Sequence, residues 1–96
     1  MTWKMHIEFT FFLPGRGRVV IGRPDGDPVK GPVTVEAHGE THEAEVVGIE
    51  WFRRGDHRGE NCGLLLQGAD GSDLSGAWDV AEGTVTGRTA DIAEAV

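Results

Sequence analysis

Residues 3–23 read WKMHIEFTFFLPGRGRVVIGR, and this stretch decides the fold class. From Trp3 to Leu13 apolar and polar residues alternate. Ile7, Phe9, Phe11 and Leu13 fall on one side and His6, Glu8 and Thr10 on the other. Period two predicts a half-buried strand. Pro14-Gly15-Arg16-Gly17 then supplies a turn. Arg18 to Arg23 follows as a short strand rich in β-branched residues.

The same grammar continues outward. Residues 24–32 (PDGDPVKGP) are dense in Pro, Gly and Asp and predict turn or loop. Val33, Val35 and Ala37 alternate with Thr34, Glu36 and His38 as a third strand, and Gly39-Glu40-Thr41 reads as a hairpin turn. Glu43 to Phe52 predicts a long strand, with Gly48 marking a bulge or a close backbone approach. Residues 53–61 form a charged loop. Cys62 to Gly68 is a buried strand, because three consecutive leucines cannot alternate with water. Residues 69–76 read as a loop with one helical turn that Ser72 would cap. One or two short strands follow within 77–86. Six or so short strands, spaced about ten residues apart, with almost no helix predict an all-β fold. A small closed antiparallel β-barrel is expected, because closure removes exposed edges. The barrel would take residues 1–87, with 88–96 as a frayed or disordered tail.

The chain has 96 residues, so it supports one modest core. Its 15 glycines argue against a helical bundle. The formal net charge of -7, taken alone, argues against a polyanion partner. Residues 1–58, however, carry eight bases and nine acids, while residues 59–96 carry one base and seven acids. The arginines concentrate at 16–23 and 53–58. The single cysteine, Cys62, excludes an internal disulfide and a Cys-rich zinc site. No apolar run approaches the ~18 residues of a membrane span. A cytoplasmic protein with neither membrane nor DNA as partner is expected.

Three stretches, in order, resemble the second domain of elongation factor Tu and related translational GTPases. The first is Phe11 to Arg23 (FFLPGRGRVVIGR), the second Val47 to Arg53 (VGIEWFR) and the third Gly59 to Gly68 (GENCGLLLQG). Leu74, Gly76 and Gly83-Thr84-Val85 fall where that family has its closing helical turn and last strand. The resemblance covers about residues 7–86 and implies a six-stranded β-barrel that helps hold the aminoacyl end of transfer RNA. It places Glu50 beside the terminal adenosine, Asn61 near the aminoacyl group and Arg53 nearby. Glu8 takes the position of an acid that contacts the amino group, while Phe9 replaces a neighbouring family acid. The chain lacks GxxxxGK[ST]: neither Lys4 nor Lys30 precedes Ser or Thr. It therefore reads as a free-standing barrel without GTPase chemistry.

The candidate site follows. Glu50, Arg53, Asn61 and Glu8 are expected to bind a nucleotide or the acceptor end of transfer RNA. Arg16, Arg18, Arg23, Arg54 and Arg58 are candidates for a phosphate patch, since Arg suits bidentate phosphate contacts. Adjacent strand residues face opposite ways, so one of Phe11–Phe12 and one of Trp51–Phe52 must point outward. Phe12 and Trp51 are the candidates for an interaction surface. His38 and His42 flank a turn with Glu40 and Glu43, but the strand context disfavours joint ligation and no metal or cofactor is expected. Cys62 reads as a small core residue. No nucleophile or acid–base constellation stands out, so the chain is expected to bind and not to catalyse. The competing expectation is a protein-interaction barrel that docks on a separate GTPase or pairs with itself.

Overall fold

The computed structural model describes residues 2–52, 61–68, 70–72, 74 and 83–88, the side chain of Phe52 excepted. Eight strands run in chain order: β1 Thr2–His6, β2 Phe9–Leu13, β3 Gly17–Gly22, β4 Pro24–Asp25, β5 Gly31–Ala37, β6 Glu40–Phe52, β7 Asn61–Gln67 and β8 Thr84–Arg88. They form one antiparallel sheet ordered β2-β3-β7-β6-β5-β8-β1-β4. The described residues include no helix. The all-β expectation is met. The sheet order itself has two ends, at β2 and β4.

The expected single strand over 3–13 is broken, and the break reverses its faces. Met5 pairs with Pro24, but Phe9 pairs with Ile21, so β1–β2 advances four residues while β3–β4 advances three. One extra residue is inserted, and the Glu8 N–H donates to the Ile21 carbonyl at 2.8 Å. This is a β-bulge. Before it, Trp3, Met5 and Ile7 are each 1% exposed; after it, Phe9 is 60% and Phe11 40% exposed. The expected common face of Ile7, Phe9 and Phe11 is therefore corrected. The bulge also makes β1–β2 and β4–β3 the two arms of one bent hairpin, with β4 lying inside the expected 24–32 loop. At the bend, a Cβ on Gly22 would overlap the His6 carbonyl oxygen.

Turn chemistry fixes the other connections. The Arg16 N–H donates to the Leu13 carbonyl at 2.9 Å, and Gly15 has φ 76°. Pro followed by Gly with positive φ is the signature of a type II turn. The β5–β6 turn sits at His38-Gly39, one residue earlier than expected, because Ala37 pairs with Glu40. Both turn residues have positive φ, as a type I′ hairpin requires.

The core takes one face of each longer strand: Trp3 and Met5 from β1, Val20 from β3, Val33 and Val35 from β5, Ala44 and Val46 from β6, Cys62, Leu64 and Leu66 from β7, and Val85 from β8. Gly87 lets the Trp3 indole lie flat against β8, since a Cβ there would come within 2.5 Å of the ring. β6 carries an irregularity between Val46 and Gly48, as Gly48 suggested. In the segment after β7, the Ser72 N–H donates to Asp70 Oδ1 at 3.0 Å and the Gly68 N–H donates to the Ser72 carbonyl at 2.9 Å. Asp70, in an Asx turn, is the residue whose side chain accepts here.

Candidate functional site

A groove of about 370 Å³ lies on the outer face of β2, β3, β7 and the second half of β6. Phe11, Leu13, Arg16, Val19, Gly48, Ile49, Glu50, Gly63 and Leu65 line it. The register explains the set. One row across the sheet is Phe11–Val19–Leu65–Gly48, and the next is Phe9–Ile21–Gly63–Glu50. Large apolar side chains stand at one end of each row. Gly48 and Gly63 leave a shallow floor at the other.

Glu50 is exposed on the groove wall, directly opposite Gly63. Asn61 is half-buried and pairs with Phe52, one outer-face step beyond the Glu50–Gly63 pair. Glu8 is exposed at the bulge and bonded through its backbone to Ile21, in the same row as Glu50. These three residues therefore share one end of the sheet. Arg53, Arg54 and Arg58 lie outside the described residues, as do His57 and Trp78.

The described candidate arginines, Arg16, Arg18 and Arg23, lie on β3 and its two flanks. Arg16 precedes β3 and Arg23 follows it, roughly 23 Å apart for extended chain. The Arg16 carbonyl accepts a hydrogen bond from Gln67 Nε2 at 2.6 Å, which ties the turn to β7 at one end of the groove. Arg18 is half-buried, with its guanidinium 5.8 Å from the centroid of the Phe12 ring and a buried Nε that has no hydrogen-bond partner. Stacking on Phe12 accounts for its placement better than a solvent-facing phosphate contact. Phe12 itself is half-buried, whereas Phe11 and Trp51 are exposed. Phe9 and Phe11 meet in a tilted pair, centroids 5.9 Å apart.

The remaining candidates are plainly placed. His42 Nε2 lies 3.3 Å from Glu40 Oε2 on the turn side of β6. No cluster of three or more potential metal ligands occurs among the described residues. Cys62 is fully buried, and burial pushes its thiol up to about 11, so it is protonated at neutral pH. A protonated, enclosed thiol is a core group. Asp70 is held below the ordinary carboxylate value by the hydrogen bond from the Ser72 backbone.

Leu13, Val19 and Leu65 escaped sequence reasoning as groove residues. For Val19 and Leu65 the signal was present: in the runs VVI and LLL, the middle residue and its neighbours cannot all face the core. No helix among the described residues is long and apolar enough to cross a membrane. No family model matches the chain.

Proposed function

We propose that this chain is a non-catalytic, translation-factor-like β-barrel module that holds a nucleotide or the aminoacyl acceptor end of transfer RNA in the outer-face groove. One observation carries the reading. All nine groove-lining residues come from the three stretches that carry the resemblance: Phe11, Leu13, Arg16 and Val19 from the first, Gly48, Ile49 and Glu50 from the second, Gly63 and Leu65 from the third. Stretches far apart in sequence thus converge on one concavity. Its chemistry suits a purine nucleoside: a glycine floor that a flat ring can approach, apolar walls, and Glu50 to accept hydrogen bonds from hydroxyl or amino groups. Its volume lies within the ordinary range of small-ligand pockets.

Rolling of the sheet into a six-stranded barrel belongs to the same proposal. It is supported by the bent hairpin, which supplies both ends of the strand order and would join β8 on one side to β7 on the other.

The test is a chemical-shift titration of labelled protein with adenosine and with aminoacyl-adenosine. Saturable shifts at Gly48, Glu50, Asn61 and Gly63 are expected. Their absence at millimolar ligand rejects the reading. The exposed aromatics Phe9 and Phe11, neighbours on the outer face, favour a second reading, a protein-docking face. That reading requires the same residues to shift with a protein partner and not with nucleosides.

A further inference from the structure

We infer that Phe9 and Phe11 form a second, aromatic seat beside the groove, so that the site takes two consecutive bases of single-stranded RNA and not one. The inference rests on the nucleotide reading above and extends it to a ligand class. It starts from the bulge. The inserted residue at Glu8 turns Phe9 outward; an unbroken strand would carry it inward after Trp3, Met5 and Ile7. Bulges commonly re-aim a side chain beside a binding site.

Phe9 is the most exposed of the large apolar side chains described, and its position is specific. It stands in the row of Ile21, Gly63 and Glu50, the row that ends the groove. Phe11, a groove wall, is its tilted neighbour, with 52° between the rings. A tilted pair leaves a face of each ring uncovered. Phe11 lines the groove, and Phe9, outside the lining, stands next to it with ring centroids 5.9 Å apart. The Phe9 ring, 60% exposed, presents an apolar, planar surface beside the groove.

A base next to the first one matches that surface. Every base offers a π face, so the platform needs no particular sequence. The linking phosphate has a cation at hand: exposed Arg23 lies two residues beyond Ile21 on the same hairpin arm. An apolar aminoacyl side chain would use the ring but make no use of Arg23.

The experiment compares adenosine with the dinucleoside monophosphate cytidylyl-adenosine, titrated into the full chain and into its Phe9→Ala and Phe9→Trp variants. Stacking predicts that the dinucleotide binds about tenfold more tightly than adenosine. Phe9→Ala should erase that difference while leaving adenosine binding intact, and Phe9→Trp should keep it. Because Phe9 is exposed, amide spectra of the variants should match the parent and serve as the folding control. Equal affinities for the two ligands, or a gain that survives Phe9→Ala, overturn the second seat alone. Failure of adenosine to bind the unaltered chain overturns the groove reading and this inference with it.

Discussion

Gly48→Ala should separate stability from binding. A Cβ built on Gly48 meets Leu65 Cβ at 3.5 Å and Leu65 Cδ2 at 3.8 Å, both ordinary van der Waals contacts. Nothing in the fold must move to accept it. Glycine in a strand costs roughly 0.5–1 kcal/mol relative to alanine through its extra unfolded-state freedom. The variant should therefore melt about 2–8 °C higher, given the small unfolding entropy of a domain this size. Its methyl group, however, stands on the groove floor. A flat ligand lifted by 0.5–1 Å forfeits a quarter to a half of its dispersion contact there. Adenosine affinity should fall about fivefold or more, equivalent to about 1 kcal/mol. Thermal unfolding by circular dichroism and a nucleoside titration read the two effects. A lower melting temperature would show that the irregularity at Gly48 needs glycine for its backbone. Unchanged adenosine affinity in a folded variant would show that the groove is not the site. The contrast is Gly22→Ala, whose Cβ would overlap a backbone oxygen of His6. No side chain can yield there, so that variant should lose roughly 1–3 kcal/mol.

Other substitutions test separate links. Glu50→Gln should leave stability within about 0.5 kcal/mol, as for most exposed sites, yet abolish adenosine shifts at Gly63; retained shifts would remove Glu50 from the site. Gly87→Ala should drive a methyl into the Trp3 ring and, as overpacking, cost about 1–3 kcal/mol in urea unfolding; a neutral result would mean that the indole is not packed on β8. Cys62 has a folded value near 11 against 9.0 for an ordinary thiol. As pH rises from 9 to 11 the unfolded chain ionises first, so the stability present below pH 9 declines across that window. Cys62→Ala should flatten the decline, and an unaltered alkaline profile would refute the assignment.

The strands could be read from alternation because each sheet face meets a different solvent. β5 and the long β6 follow from their own residues. Two features could not be read. A bulge is a difference of one residue between paired strands, so neither partner's sequence contains it alone. WKMHIEFTF alternates from Trp3 to Phe11, but only the pairing with β3–β4 shows where that pattern changes face. The groove was half legible. Glu50 was named through the resemblance, which sets it beside the terminal adenosine, and not through any pattern in β6, which carries three other glutamates. Leu65 did not, because a leucine among leucines looks like core until the register puts it outside. Of the candidate arginines, Arg18 lies over the Phe12 ring, a placement that no sequence pattern announces because it depends on the β2–β3 register.

The acidity of the chain is also weaker evidence against a nucleotide ligand than its net charge suggests. Exposed Glu36 and Glu43 belong to the β5–β6 hairpin. Glu43 is separated from Glu50 by seven residues of strand, roughly 23 Å when extended. The Debye length at physiological ionic strength is about 8 Å. Charges that far away are screened, and the groove responds to the charges nearest it, Arg16 and Glu50 in its lining and exposed Glu8 in the row of Glu50. Neutralising Glu36 and Glu43 to Gln should therefore change affinity for cytidylyl-adenosine by less than about twofold at 0.15 M salt. The same ligand has one phosphate, so log affinity should fall against log salt with a slope of about -0.7. Arg23→Ala should flatten that slope while leaving adenosine, which has no phosphate, unaffected. If affinity instead rises with salt, or the glutamine variants gain severalfold, the field of the whole acidic molecule governs binding and the local reading of the groove is wrong.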